Sequence, residues 1–154
     1  MQRDILLLTE MIDAAEQAQH LVIDVSVSQL EANRERREAL LWNFTVLGEA
    51  ASRVSGEIKA RFPDVAWQQP VRLRNRIVHG YWSIDLGVLH TTASEQLPDF
   101  TGELREVLRA LQFEGRRRQS LRPARVARYL TRHQVPPFGS RRSEEARVRT
   151  RSPF

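Results

Sequence analysis

"LLWNFTVLGEAASRV" occupies residues 40–54. Leu40, Leu41, Phe44, Leu47, Gly48, Ala51 and Val54 recur in it at steps of three and four, the spacing of one face of an α-helix. Gly48, with Ala50 and Ala51 beside it, thins that face into a patch where a second helix can come close. No proline interrupts the chain from Glu31 to about Ala60, so one long helix is expected there. Pro63 closes it, because the residue before a proline is pushed out of the helical region.

The same period extends in both directions. Leu7, Met11, Ala14 or Ala15, Ala18 and Leu21 line a first amphipathic helix. It fades at residues 22–27, where Ile23, Val25 and Val27 alternate with Asp24 and Ser26. A strand there would have no partner, so the stretch reads as a helix end and a connection. A further helix is expected from Trp67 or Pro70 to Val78, with Gly80 as its left-handed terminator. Another starts at Asp85, a capping residue, and carries Leu86, Leu89 and Ala93. Pro98 opens the last, whose stripe is Phe100, Leu104, Val107, Leu108 and Leu111. Helices joined by short loops, without a convincing strand, predict an all-α antiparallel bundle of four to five helices.

A chain of 154 residues fits one domain with a modest core. It has no cysteine, which excludes a disulfide framework and a thiolate metal site. The opening MQRDILLLTE has a short apolar run followed by an acidic residue, so neither a signal peptide nor a membrane span is expected and a cytoplasmic location is the default. The net charge of +5 conceals an asymmetry. Residues 1–113 hold 12 Lys+Arg against 16 Asp+Glu, a balance of −4, whereas residues 114–154 hold 12 Arg against 3 Glu, a balance of +9. The expected organisation is a mildly acidic domain over 1–113 and an Arg-rich extension over 114–154. Arg116, Arg117 and Arg118 open that extension and are candidates for contact with RNA phosphates. Leu121, Val126 and Leu130 could line a short helix in it. The remainder has too few large apolar groups to offset the entropy of ordering, so mobility is expected.

The chemistry concentrates in "LRNRIVHGYW", residues 73–82. Asn75 and His79 are four apart and share a helix face. Arg74 and His79 are five apart, about 140° around the axis, and do not converge easily within one regular helix. The position of His79 at the helix end, the reach of arginine, or a symmetric dimer in which each copy supplies half a site would relieve this. Arg72, Arg74 and Arg76 alternate and cannot all face one way, although Arg72 and Arg76 remain candidates for RNA contact. Arginine offers a planar fork of donors to phosphate oxygens, and histidine transfers protons near neutrality. Together they suit cleavage of RNA by its own 2′-hydroxyl: one group takes the hydroxyl proton, another protonates the leaving oxygen, and a cation stabilises the phosphorane. No metal is needed, and no obvious cluster of ligands would hold one. On spacing alone, a capping or core histidine and solvated or ion-paired arginines are the better explanation of the segment. Glu49, a carboxylate in an otherwise apolar helix face, is costly to bury unless paired; Arg74 or Arg76 is a candidate partner, and the alternative is a solvent-facing residue.

Arg74-x4-His79-x-Tyr81, with Asn75 after the arginine, resembles the R-x4-H-x-Y signature of HEPN-domain proteins, and more narrowly of the HepT toxins. "WNFTVLGEAASRVS" (42–55), "RFPDVAW" (61–67) and "SIDLGVLHTTASEQLPDF" (83–100) resemble the family's flanking segments in the same order. The resemblance covers roughly residues 1–113. It implies a homodimeric helical bundle in which two motifs meet in a cleft, and a metal-independent endoribonuclease acting on tRNA or mRNA without a cofactor. It also implies the toxin role in a type VII-like toxin–antitoxin pair, silenced when a minimal nucleotidyltransferase antitoxin (MntA-like) moves AMP from ATP onto the motif tyrosine. Carried onto this chain, Arg74 stabilises the scissile phosphate and His79 transfers protons. Asn75 orients His79 or the substrate, and Tyr81 is the residue modified. Two other readings stand beside this one: a dimeric module that binds RNA or nucleotide and a nucleotidyltransferase without cutting, and a helical scaffold whose basic extension binds nucleic acid unspecifically.

Overall fold

The computed structural model describes residues 1–80 and 83–120, with side chains through residue 117. Among these, seven α-helices and no strand are present: α1 (Gln2–Val22), α2 (Val27–Ala32), α3 (Arg34–Arg53), α4 (Gly56–Arg61), α5 (Gln68–His79), α6 (Leu86–Thr91) and α7 (Leu97–Ser120). The architecture is the expected all-α bundle. α3 packs against both α1 and α5. The apolar stripes deliver the core: Leu8 and Met11 of α1, Phe44 and Leu47 of α3, and Leu104 and Leu111 of α7 are almost wholly buried. Among the described residues no helix is long and apolar enough to cross a membrane.

The segment expected as one helix over 31–60 is three. Short polar side chains make the breaks by satisfying the first amides of a new helix. Ser26 and Gln29 form a reciprocal capping box that starts α2 early, with the Gln29 amide donating to Ser26 Oγ at 3.2 Å and the Ser26 amide to Gln29 Oε1 at 2.8 Å. The Asn33 side-chain oxygen Oδ1 accepts the Arg36 backbone amide at 3.0 Å and opens α3. Ser55 caps α4, and its own amide donates to Asp4 Oδ1 of α1 at 2.9 Å. Burial pushes the Asp4 carboxyl up, but the Ser55 amide and hydroxyl and the N-terminal ammonium outweigh it, and the net direction is down.

Gly80 does not end α5 in a left-handed conformation; its φ is −128°. Its amide donates to the Arg76 carbonyl at 2.8 Å, and a Cβ there would lie 2.9 Å from that same oxygen. Close approach, not positive φ, is what the glycine serves. The two C-terminal helices, expected as separate, are joined by a π-helical segment, Thr92–Gln96. Pro98 has no amide to offer the Ser94 carbonyl, and the wider turn, in which the Leu97 amide bonds to Thr92 O, takes up the mismatch. α7 continues to Ser120, past residue 113, and Glu114 on it forms an ion pair with Arg61 at the end of α4. The expectations of mobility and of a helix through Leu121, Val126 and Leu130 lie outside the described residues.

One contact positions the rest. A Cβ at Gly48 would stand 2.3 Å from Arg74 Cβ and 2.4 Å from the Pro70 carbonyl oxygen, so α5 crosses α3 where only a hydrogen fits. Glycine inside a helix costs about 1 kcal/mol against alanine, and the crossing outweighs that. Gly48→Ala is therefore expected to destabilise the protein by about 3 kcal/mol or more, since overpacking against backbone cannot relax by rotamer change. Urea denaturation showing Gly48→Ala neutral or stabilising would refute the crossing.

Candidate active site

α5 buries only Pro70 and Ile77 and leaves most of its surface to solvent. Asn75, His79, Arg72 and Arg76 share the exposed side, while Arg74 leans toward α3 and is half-buried. Its Nη2 donates to Glu49 Oε2 at 2.5 Å and its Nη1 to Asn75 Oδ1 at 2.7 Å. Its Nε is buried and has no partner among the described residues. Glu49 Oε1 lies 2.7 Å from Arg53 Nη2, so one carboxylate bridges a cation of its own helix and one of α5. Of the two arginines considered as partners for Glu49, Arg74 is the one in contact. Arg53, absent from the sequence expectations, is signalled by its i,i+4 spacing from Glu49.

The hydrogen bond from Arg53 and the charges of Arg53 and Arg74 hold the Glu49 carboxyl below its usual range, against the opposing effect of partial burial. Glu49 is thus an anion at neutral pH, and Arg74 is a cation fixed by two contacts. Guanidinium has five N–H donors. Glu49 and Asn75 occupy one each, Nε–H is buried, and two Nη–H remain for an oxyanion.

His79 is exposed and is the last residue of α5. Arg74 and His79 fall within one continuous helix, so the angular separation of about 140° stands within a single chain. The structure brings Arg74, Asn75 and Glu49 together and leaves His79 on the adjoining exposed face, one turn beyond Asn75. Tyr81 lies outside the described residues. Arg116 and Arg117 are exposed near the end of α7, with the Arg117 guanidinium over the Phe113 ring at 5.8 Å. The side chain of Arg118 lies outside the described set. Among the described residues no group of three or more His, Asp or Glu side chains could hold a metal ion.

An apolar strip adjoins this site. Trp42 of α3 is 68% exposed and Val78 of α5 52% exposed, large values for such side chains, and both line a shallow groove with Leu41 and Ile77. The surface continues along Thr45 and Val46 to Glu49.

Residues 11–107 match the family model described as Ribonuclease HepT-like. The chain belongs to that family. It is 21% identical over 100 residues to a Thermococcus cleftensis protein named "Probable ribonuclease HepT", covering 65% of this chain and 91% of the relative. It is 26% identical over 97 residues to a Methanocaldococcus jannaschii protein whose name carries the word RNase, covering 63% and 89% respectively. A second such protein of that organism is 21% identical over 91 residues, covering 59% and 75%. No solved structure matches the chain.

The Glu49–Arg74 contact has a thermodynamic signature. A carboxylate with a lowered folded-state pKa stabilises the fold above the ordinary glutamate pKa and loses that contribution as pH falls through the folded value. In thermal denaturation at neutral pH, the loss in Glu49→Gln/Arg74→Ala is expected to be smaller than the sum of the single losses, with the difference vanishing in acid. Strict additivity at neutral pH would exclude the coupling.

Proposed function

We propose that this HepT-like protein is a metal-independent endoribonuclease working as a homodimer. The observation that carries the reading is an arginine held by Glu49 and Asn75, with two donors unengaged among the described residues, on a helix whose exposed face ends in the His79 imidazole. The ribose 2′-oxygen attacks the adjacent phosphorus as the bond to the 5′-oxygen breaks. The 2′-hydroxyl proton passes to a neutral His79 imidazole, and the departing 5′-oxygen takes a proton from a second, protonated His79 across the dimer. The products are a 2′,3′-cyclic phosphate and a 5′-hydroxyl. The Arg74 guanidinium stabilises the negative charge that builds on the phosphoryl oxygens.

A dimer relieves the angular separation of Arg74 and His79, because the arginine of one copy can face the histidine of the other. The exposed Trp42 and Val78 beside the Arg74 flank support such pairing, since large apolar groups of this exposure mark interaction surfaces. By resemblance to HepT toxins, the protein is the toxin of a two-gene pair and the nucleotidyltransferase partner silences it. Transfer of AMP from ATP to the Tyr81 hydroxyl, with pyrophosphate released, would put bulk and a negative phosphate two residues from His79.

The purified protein is expected to cut RNA in EDTA, with Arg74→Ala and His79→Ala each lowering the rate by two orders of magnitude or more and relieving growth arrest. Tyr81→Phe should cut RNA yet take up no label from ATP with the nucleotidyltransferase. A requirement for magnesium would overturn the mechanism.

A non-cutting module that holds RNA remains the second reading, favoured by the prior engagement of Arg74 with Glu49. Turnover of tRNA or mRNA by purified dimer decides between them. For the scaffold reading, the informative truncation falls after Ser120 and not at residue 113, because Glu114 pairs with Arg61. Cleavage is expected to survive that truncation with a shallower dependence on salt; complete loss would favour the scaffold.

A further inference from the structure

Between α3, α5 and the π-helical segment lies a groove of about 230 Å³. Phe44, Leu47 and Leu97, all buried, make its floor, and the partly exposed Phe100 flanks it. Arg72 and Arg76, on successive turns of α5, stand on its exposed rim. Among the described residues neither has a carboxylate partner, and no hydrogen bond engages the side chains of Gln69, Thr92 or Gln96 around the same opening. The π-turn places Thr92 and Gln96 there, and such turns concentrate at functional sites.

We propose that this groove binds one unpaired nucleotide of RNA. The base lies against Phe100 above the apolar floor, its polar edge meets Thr92 and the two glutamines, and Arg72 and Arg76 hold the attached phosphates. Each part of the ligand has its complement: a π-face for an aromatic ring, unengaged amides for a base edge, and paired guanidiniums for an anion. A cavity this small suits a single ring system and not a helix of another protein. Arg76 precedes His79 by three residues on the same exposed side, so a phosphate held there adjoins the imidazole. The groove then takes the nucleotide flanking the cut and gives cleavage a base preference. Only this last step rests on the nuclease reading.

The test uses the full chain and a fluorescent single-stranded 2′-O-methyl oligoribonucleotide, which cannot be cut through its 2′-oxygen. Phe100→Leu, which keeps an apolar side chain and removes the ring, is expected to weaken binding about tenfold with an unchanged salt slope. Arg72→Gln/Arg76→Gln should weaken binding and lower the salt slope by about 1.4, the single-strand value for two phosphate contacts. Gln96→Trp, at an exposed position, should reproduce the loss by filling the groove and guards against misfolding of the Phe100 variant. In NMR titrations, nucleoside monophosphates should shift the signals of Thr92 and Gln96 far more than ribose 5-phosphate does. Equal shifts from ribose 5-phosphate, or wild-type binding by both Phe100→Leu and Gln96→Trp, would overturn the proposal. So would signals at Thr92 and Gln96 that change with protein concentration alone, because a second copy would then fill the groove. Cleavage with the same KM and cut sites in the groove variants sinks the groove and spares the nuclease. Nucleotide binding in the groove by a protein that cuts nothing does the reverse.

Discussion

At Gly48 the backbones of α3 and α5 approach until a single hydrogen separates them from collision, and the placement of every polar group nearby follows from that register. The face of α3 that meets α5 must be thin, so Gly48 points at Pro70 and Arg74. The next residue, Glu49, is then rotated by about 100° to the edge of the contact. There its carboxylate reaches the Arg74 guanidinium while staying partly in water. A bulkier contact residue would push α5 outward and separate the two. Packing and site geometry share one cause.

The Glu49 bridge to Arg53 and Arg74 is better understood as orientation than as stability. Partly exposed ion pairs contribute little to folding, because solvent screens them and long side chains lose rotamer freedom. The bridge does fix which way the guanidinium plane lies. A flexible arginine would have to be ordered by the substrate, whereas one already tethered by Glu49 and Asn75 has lost that freedom before the substrate arrives. Asn75 adds a link to the other face, since it accepts from Arg74 and sits one turn before His79.

The apolar stripes of α1, α3 and α7 were readable from the sequence because burial repeats with the helical period, and nearly every residue so chosen is in the core. Glu49 was readable for the opposite reason, as a charge where the period calls for an apolar group. The breaks at Asn33 and Ser55 were not, because periodicity runs on across a kink while the cap is a matter of one hydrogen bond. Ser26-x-x-Gln29 does carry a capping signature, which apolar spacing does not register. The π-turn was hidden behind Pro98, which reads equally as the start of a new helix. The groove at Phe44, Arg76 and Phe100 had no linear signal, because its walls come from segments far apart in the chain.

Three arginines at alternate positions of α5 seem redundant until the helix sorts them. Successive members lie about 200° apart, so once Arg74 turns toward Glu49, Arg72 and Arg76 are committed to the opposite, solvent-facing side. The paired cation becomes the fixed one. The other two keep their full field because no carboxylate among the described residues opposes them. A body with an acidic balance thereby carries a positive strip on one helix, next to the histidine. The strip depends on the helical period and not on net charge, so it would survive if every arginine after Ser120 were removed.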